Sequence, residues 1–560
     1  MTLLVVAKTP WDKTSDLSGI REELARMFDE GARDPLLDLV LSLLGQMAAQ
    51  NGQLAWKLQA ALRQLYTKKS ERISPDQLAL FLSLLTTEQA ALVDPPASTE
   101  PEPPDAPVEP AKPAPKAKTP HKKPFPDDLR REVRYVPVPD ALRRCDTCGG
   151  TKQAMGYDVR ETWEMKPAEF FIIEERLEKC ACKTCQDGVV TAEGTAKPID
   201  GGRPGPGLLA QIVTSRFNDS CPLYRQSQIY KRSGITLSPS TLGDWCGFTG
   251  DILEPIWKRL RDDTLGCYLI SLDDTGMPVL DREHPGGIKR GHVWTYIGDE
   301  NRSAFCEYTP NWKGEAPRSV LAGFTGKVIQ GDGYAGINEF FRKVDPPIRA
   351  GCMDHCRRKW VAALDAGDPR AAIAIALIAK VYVVEAGARR DGADLDELLR
   401  RRQDSSRPVM LQLQRVVADL HASALPKSPL GKATTYAINQ WSTLIVFLDD
   451  PRVPLSNAHV ERHQRRTALN RKNSLFAGSD EGARRLAILQ SIVINCELHG
   501  VSMFDYVRDV VAKLAAGWPN SRIDELLPAA WLAGQKREQA EAQQLATAVG
   551  AAGRSATPLR

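Results

Sequence analysis

The sequence predicts a multidomain α/β protein, and three observations predict it. Hydrophobic periodicity changes from helical to strand-like near residue 267, and a proline- and alanine-rich stretch, "DPPASTEPEPPDAPVEPAKPAPKAKTPHKKPFP", separates N-terminal helices from the rest. Two apolar runs, "CYLISLDD" and "GKVIQGDGYAG", end on carboxylates. A chain of 560 residues is also too long for one core, and roughly 100 to 200 residues per domain implies three or four.

Residues 1–93 read as a helical module for dimerisation or DNA binding. Within it "DPLLDLVLSLLGQMAAQNGQLAWKLQAALRQLY" returns apolar residues every three or four positions, a period compatible with a coiled-coil-like arm or a bundle. Residues 94–126 are a linker, because their proline content prevents helix and sheet and leaves a semi-rigid spacer.

Residues 127–200 are expected to bind zinc. "RRCDTCGG" supplies Cys145 and Cys148, and "EKCACKTCQDG" supplies Cys180, Cys182 and Cys185. The pairs Cys145 with Cys148 and Cys182 with Cys185 each offer two thiolates to one tetrahedral Zn²⁺. Cys180 is a spare thiol able to replace Cys182, and the bland alternative is a set of reduced, partly buried thiols.

Residues 201–262 carry a helix, a turn through Gly234, and a second helix entered through Ser238 with Pro239 at its first position. That is the pattern of a helix-turn-helix, although many helical hairpins read alike. Behind a zinc knuckle it favours DNA, with Arg225, Lys231, Arg232 and Ser240 as candidate contacts.

Residues 263–366 give three strands, helix, strand, helix, strand, helix. This is the order of a ribonuclease H-like core, in which carboxylates ending the first and fourth strands meet at the sheet centre. Asp273 and Asp332 hold those places, and Asp274 is the neighbouring second choice. Residues 367–450 read as a helical insertion, 451–515 as the last part of the core, and 516–560 as a C-terminal segment and tail. Phosphodiester chemistry needs an activated oxygen nucleophile and neutralised charge, which a pair of Mg²⁺ (or Mn²⁺) ions on a few carboxylates supplies. Two aspartates therefore call for one more acid.

The stretch "NAHVERHQRR" offers His459, Glu461 and His463 on one helix. The histidines, one turn apart, could begin a zinc site, but the spacing differs from H-E-x-x-H and a third ligand would be needed. Cys352, His355 and Cys356 could also hold a metal, with packing and support of the active site as the blander reading. The run Arg462, Arg465, Arg466, Arg471 and Lys472 is either a solvated face or a set of phosphate contacts.

Composition is 42% hydrophobic and 26% charged, with no apolar run near the roughly 20 residues that span a bilayer. The start "MTLLVVAKTPWDK" lacks the features of a secretion signal, so a cytoplasmic protein is expected. A net charge of +4 implies no nucleic-acid partner on its own, because clustering of the basic residues matters more. Twelve clustered cysteines point to metal rather than disulfides.

The chain resembles the DDE transposases of the insertion-sequence sixty-six family over nearly its whole length. The resemblance rests on "LYTKKSER", the cysteine knuckles, "PGPGLLAQIVTSRFNDSCPLYRQSQIY", "LSPSTLGDW", "LDDTGMPVL", "QGDGYAG", "CMDHCRRKW", "ERHQRRTALNRKNSLFAGSDEG" and "RIDELLP". It implies Asp273, Asp332 and Glu461 as the catalytic triad holding Mg²⁺ or Mn²⁺, and Cys145, Cys148, Cys182 and Cys185 as ligands of structural Zn²⁺. It implies double-stranded DNA as partner, both terminal inverted repeats and target, for which the basic residues and Ser240 read above (Arg225, Lys231, Arg232, Ser240, Arg462, Arg465, Arg471 and Lys472) are the candidate contacts. A homo-oligomer on paired ends, accessory proteins of the element and a place at the bacterial nucleoid follow from the same resemblance. Ser456, Ala458 and Gly333 depart from residues common in the family. A DNA-binding regulator with an inactive core is the alternative, and it leaves the carboxylate-bearing strands unexplained.

Overall fold

The computed structural model describes residues 25–30, 37, 40–41, 169–180, 190–299, 302–342, 345–474 and 476–554. The linker and Cys145, Cys148, Cys182 and Cys185 lie outside the described residues, as does nearly all of the N-terminal module. From the zinc region, a short hairpin pairs β1 (Lys179–Cys180) with β2 (Val190–Thr191).

Four helices follow: α1 (Pro206–Val213), α2 (Leu223–Arg232), α3 (Pro239–Ile252) and α4 (Glu254–Leu265). Proline opens α1 and α3, where its fixed φ suits the first turn and its missing N–H costs nothing. Between α2 and α3 the chain reverses at Gly234, whose φ of +85° is open to glycine without strain. Ser238 then caps α3, its Oγ accepting from the Thr241 N–H at 3.1 Å. Leu209, Ile212, Val213 and Leu242 are buried, while the basic end of α2 is exposed.

A five-stranded sheet forms the centre. It contains β3 (Leu269–Leu280), β4 (Ile288–Gly298), β5 (Ala304–Thr309), β6 (Val328–Gln330) and β7 (Ile348–Ala350), with α5 (Glu315–Leu321) between β5 and β6. The order across the sheet is β5-β4-β3-β6-β7: β3, β4 and β5 are antiparallel, and β6 and β7 run parallel to β3. Both faces are covered, which is why the first strand reads as a continuous apolar run rather than an alternating one. Ile270, Leu272, Trp294, Tyr296 and Ile329 pack on one side against Val320, Leu321, Ile337 and Phe340. Met277, Val279, Val293 and Ile297 pack on the other against Val460, Ala483 and Ala487. The expected helix at "INEFFRK" is a 3-10 segment, Ala335–Arg342, since glycines at 333 and 336 do not favour a full α-helix there.

After β7 come α6 (Met353–Asp365), α7 (Ala371–Arg390), α8 (Leu395–Arg401), α9 (Arg407–Ser423) and α10 (Pro429–Leu444). Trp360, Ile373, Leu377, Leu413 and Leu430 close with Leu269, Val328 and Ala350 into one core, each large side chain contributing about 1.5–3 kcal/mol by burial. α7 is long and apolar enough by length and composition to cross a membrane, against the reading that no run approached that length. Ten of its residues are buried inside the protein, the environment that selects such a composition in a core helix.

Arg402, 1% exposed, fixes this helical segment to the chain that returns to the sheet. It meets Glu385 at 2.7 and 2.9 Å and donates to the Phe447 and Val453 carbonyls at 2.7 and 3.1 Å. The return leads into α11 (Ala458–Ser474), then α12 (Asp480–Leu498), α13 (Met503–Ala515) and α14 (Pro528–Arg554). Gly247 and Gly250 let α3 lie close to α12, because a Cβ at either would meet Arg485 at 3.0 or 3.3 Å.

Candidate active site

Parallel pairing sets the first two carboxylates side by side. Ser271 of β3 pairs with Gln330 of β6, and the Ser271 hydroxyl donates to Gln330 Oε1 at 3.0 Å. Two residues further along each chain stand Asp273 and Asp332. The period of two in extended backbone returns both side chains toward the face on which Ser271 and Gln330 meet. Gln330 in turn donates to the Pro454 carbonyl at 2.6 Å, tying this end of the sheet to the approach to α11.

Asp273 is half-buried, and burial pushes its carboxyl up to about 7, with the negative charges of Asp332, Glu461 and Asp274 adding to the shift. Its Oδ1 accepts from the Asp274 N–H at 2.9 Å, which opposes that rise. Asp332 caps the turn after β6, accepting from the Tyr334 N–H at 2.9 Å. Arg349 braces the same turn through the Asp332 and Tyr334 carbonyls, at 3.3 and 3.1 Å.

Glu461 reaches the site from the first turn of α11. Buried Asn457, just before that helix, donates to the Leu272 carbonyl at 3.0 Å and so anchors the start of α11 to the residue preceding Asp273. The Glu461 carboxylate is held by Arg358 of α6, at 2.9 Å to Oε1 and 2.5 Å to Oε2. His355 Nε2 lies 3.6 Å from Glu461 Oε1, and burial lowers the imidazole's affinity for a proton.

Asp274 projects to the opposite side of β3, as its neighbour position requires. It meets His292 Nδ1 at 2.5 Å and accepts from Trp312 Nε1 at 3.2 Å. Trp312 stacks on both His292 and Tyr334, with ring centroids 5.6 and 4.8 Å away. The second-choice acid thus serves an aromatic cluster that backs the Asp332 turn.

The histidine pair divides. His463 Nδ1 is 3.2 Å from Glu497, and burial pushes His459 down to about 4. Cys352 and Cys356 are buried, with thiols pushed up to about 12, so they pack while His355 joins the acids. Among the described residues no three His, Cys, Asp or Glu side chains are gathered around a common metal position. An acid raised by burial among like charges nevertheless fits a hard divalent cation, and Asp273, Asp332 and Glu461 are the oxygen donors that would hold it.

Of the candidate nucleic-acid contacts, Arg225, Lys231, Arg232, Ser240, Arg462, Arg465 and Lys472 are exposed. Arg471 is half-buried and donates to the Gly276 carbonyl, so its guanidinium also fixes β3 to α11. Arg358 and Arg349 were not singled out in the sequence. The cluster "HCRRKW" marked the region of Arg358, but nothing local announces a partner 103 residues away.

Comparison with known families matches residues 201–485 to "Transposase IS66 family", 143–186 to "zinc-finger binding domain of transposase IS66", 53–134 to "Transposase C of IS166 homeodomain" and 491–529 to "IS66 C-terminal element". The Sinorhizobium fredii protein y4jD is 32% identical over 429 residues, 72% of this chain and 81% of that one. From the same organism, y4hP is 31% identical over 436 residues, covering 74% and 77%. The Drosophila P element transposase strand transfer complex aligns with 11% identity and a TM-score of 0.28, over 55% of this chain and 95% of the other, too weak a likeness to carry the fold.

Proposed function

Because the chain belongs to the IS66 family of transposases, we propose that it cuts the ends of its own mobile element and joins them to target DNA by phosphoryl transfer at Asp273, Asp332 and Glu461. The observation that carries this is the register of β3 on β6, which pairs Ser271 with Gln330 two residues before Asp273 and Asp332, with the charges of Asp332 and of Glu461 from α11 acting on Asp273. The sheet is read as a ribonuclease H-like core and 367–450 as its helical insertion. The cysteine region binds structural Zn²⁺ through Cys145, Cys148, Cys182 and Cys185, and α2 and α3 form a helix-turn-helix for the terminal inverted repeats.

Bound Mg²⁺ or Mn²⁺ would supply the positive charge that activates the attacking oxygen and supports the leaving one. The chain's own residues prepare that place. Asp273, Asp332 and Glu461 present oxygens from three separate elements, and Asn457 keeps α11 in register with β3. Asp332 keeps one oxygen on the Tyr334 N–H and has the other to give. Arg358 neutralises Glu461 in the resting arrangement, and release of that carboxylate leaves a guanidinium suited to a phosphate oxygen at the same spot. Water attacks the phosphorus at each end and the P–O3′ bond breaks, leaving a 3′-hydroxyl and a 5′-phosphate; the 3′-hydroxyl then attacks a target phosphodiester in line, forming a new P–O3′ bond as the target's own 3′ oxygen leaves. Two ends must be joined, so a homo-oligomer on paired ends is proposed, acting at the nucleoid in the cytoplasm with accessory proteins of the element as further partners.

The test is incubation of purified protein with duplex end DNA and Mg²⁺, with nicks mapped to the nucleotide. Cleavage at the element boundary, reduced about 10²–10³-fold or more in Asp332→Asn, is the expected result. Equal cleavage by Asp332→Asn, or zinc-dependent hydrolysis lost in His463→Ala, would overturn it.

A further inference from the structure

A cavity of about 160 Å³ lies between the wide turn after α1 and the helices α11 and α12, away from the three acids. Arg216, Phe217, Asn470, Arg471, Ser474 and Arg485 line it, and no aspartate or glutamate does. Three arginines therefore border one small space. Arg485 has a carboxylate, Asp251, at 2.6 and 2.9 Å behind it. Arg471 donates only to neutral groups, the Gly276 carbonyl and the Thr275 hydroxyl. Arg216 has no carboxylate and no hydrogen-bond acceptor among the described residues; the Phe217 ring lies 5.4 Å from its Cζ, and the buried thiol of Cys246, which also lines the cavity, is the ionisable group that acts on it.

A half-buried cation without a counter-charge is costly, and burial lowers the Arg216 pKa accordingly. The surrounding walls are firmly held. Arg466 donates to the Asn218 carbonyl at 2.9 Å and to Asn218 Oδ1 at 2.6 Å, and Asn473 donates to the Ser220 carbonyl at 2.8 Å. The opening is thus a preformed space with an apolar side formed by Leu223, Met277 and Leu486 and a basic side formed by the arginines, joined by the Ser474 hydroxyl and by the Asn470 amide, which also donates to the Phe217 carbonyl at 3.5 Å. That donor set matches the several oxygens of a phosphoryl group better than a lone chloride.

We propose that this cavity is a phosphate-binding site, distinct from the three acids, and that it seats one backbone phosphate of bound DNA through Arg216. Arg225, Lys231 and Arg232 on α2 and Arg465 and Lys472 on α11 are exposed, and each of these helices also contributes a residue to the cavity lining, Leu223 and Asn470. A phosphate there bridges the α1–α3 segment to the helix that carries Glu461. DNA binding and placement of the third acid are then linked. The choice of DNA as the source of the phosphate rests on the transposase reading, whereas the phosphate chemistry does not.

The experiment uses the full chain with inorganic phosphate as probe, followed by calorimetry and phosphorus NMR line width, and then measures end-duplex binding by anisotropy across a salt series. Arg216→Met is expected to weaken phosphate binding at least about 10-fold and to lower the slope of log affinity against log salt by about one unit, with Arg216→Lys in between. Without phosphate, Arg216→Met should melt no lower than the parent, because it removes an uncompensated charge. A marked fall in melting temperature would make Arg216 a packing residue and overturn the proposal, as would phosphate binding equal in parent and variant. Loss of phosphate binding with an unchanged DNA salt slope overturns the DNA assignment and gives the site to a free anion. Absence of strand cleavage alongside the expected binding results would count against the transposase reading alone.

Discussion

Arg358 and Glu461 meet through two hydrogen bonds, at 2.9 and 2.5 Å, although 103 residues separate them. A two-pronged guanidinium–carboxylate contact is among the stronger ion pairs, and it occupies the oxygens that a divalent cation would need. Arg358→Gln is expected to destabilise the cation-free protein by about 1–3 kcal/mol and to enlarge the rise in melting temperature that Mn²⁺ produces. Thermal denaturation in chelator and in Mn²⁺ measures both. An unchanged Mn²⁺ response would remove Arg358 as a competitor for Glu461.

Asp273 links stability to pH. Its carboxyl is raised from the ordinary 3.8 to about 7, so between those values the folded state holds a proton that the unfolded state has lost. The contribution is a penalty on folding, absent below about pH 4, growing as pH rises, and complete above about 7. Asp273→Asn should therefore gain stability relative to the parent as pH rises through that window, by at most roughly 4 kcal/mol. The difference between the two proteins is the quantity to follow in chelator, since neutral His459 gives a slope of opposite sign in acid. A flat difference from pH 5 to 8 would contradict the assignment.

Asn457 anchors α11 to the Leu272 carbonyl. Asn457→Ala leaves that carbonyl without its donor, with an expected loss of about 1–3 kcal/mol. Cleavage of end DNA should fall by more than the stability loss explains, because Glu461 stands one turn further along the same helix. Equal activity at a temperature where both proteins are folded would show that the anchor does not position the acid.

Zinc removal tests the cysteine reading. Cys148→Ser should lower zinc content by about one ion per chain, measured by metal analysis after dialysis, and weaken end-DNA binding without altering the melting of the sheet core. Full zinc content in the variant would leave the knuckle without its ligand.

Much of the core was legible in advance. The switch to strand periodicity, the acid following "VIQG", the turn at Gly234 and the cap at Ser238 are local signals, decided within a few residues, whereas the strand of "CYLISLDD" does not end on its acids but runs on, paired with β4, to Leu280. The membrane-length helix was not. α7 is apolar nearly all round because protein surrounds it, and composition records burial without saying what does the burying. The 3-10 form of Ala335–Arg342 was not legible either, since a regular helix was expected there.

Side-chain pairing was hidden for a different reason. Arg358 with Glu461, Asn457 with Leu272 and Gln330 with Pro454 join residues more than a hundred positions apart, and contact at that separation depends on how helices cross a sheet. Asp273 and Asp274 show the division within two adjacent residues. Residue type and spacing marked both as acids closing a buried strand, whereas β3 continues through them to Leu280. Pleating and packing assigned one to the shared acidic face and the other to His292 and Trp312, because consecutive side chains of a strand must face opposite layers and the layers are made by distant parts of the chain.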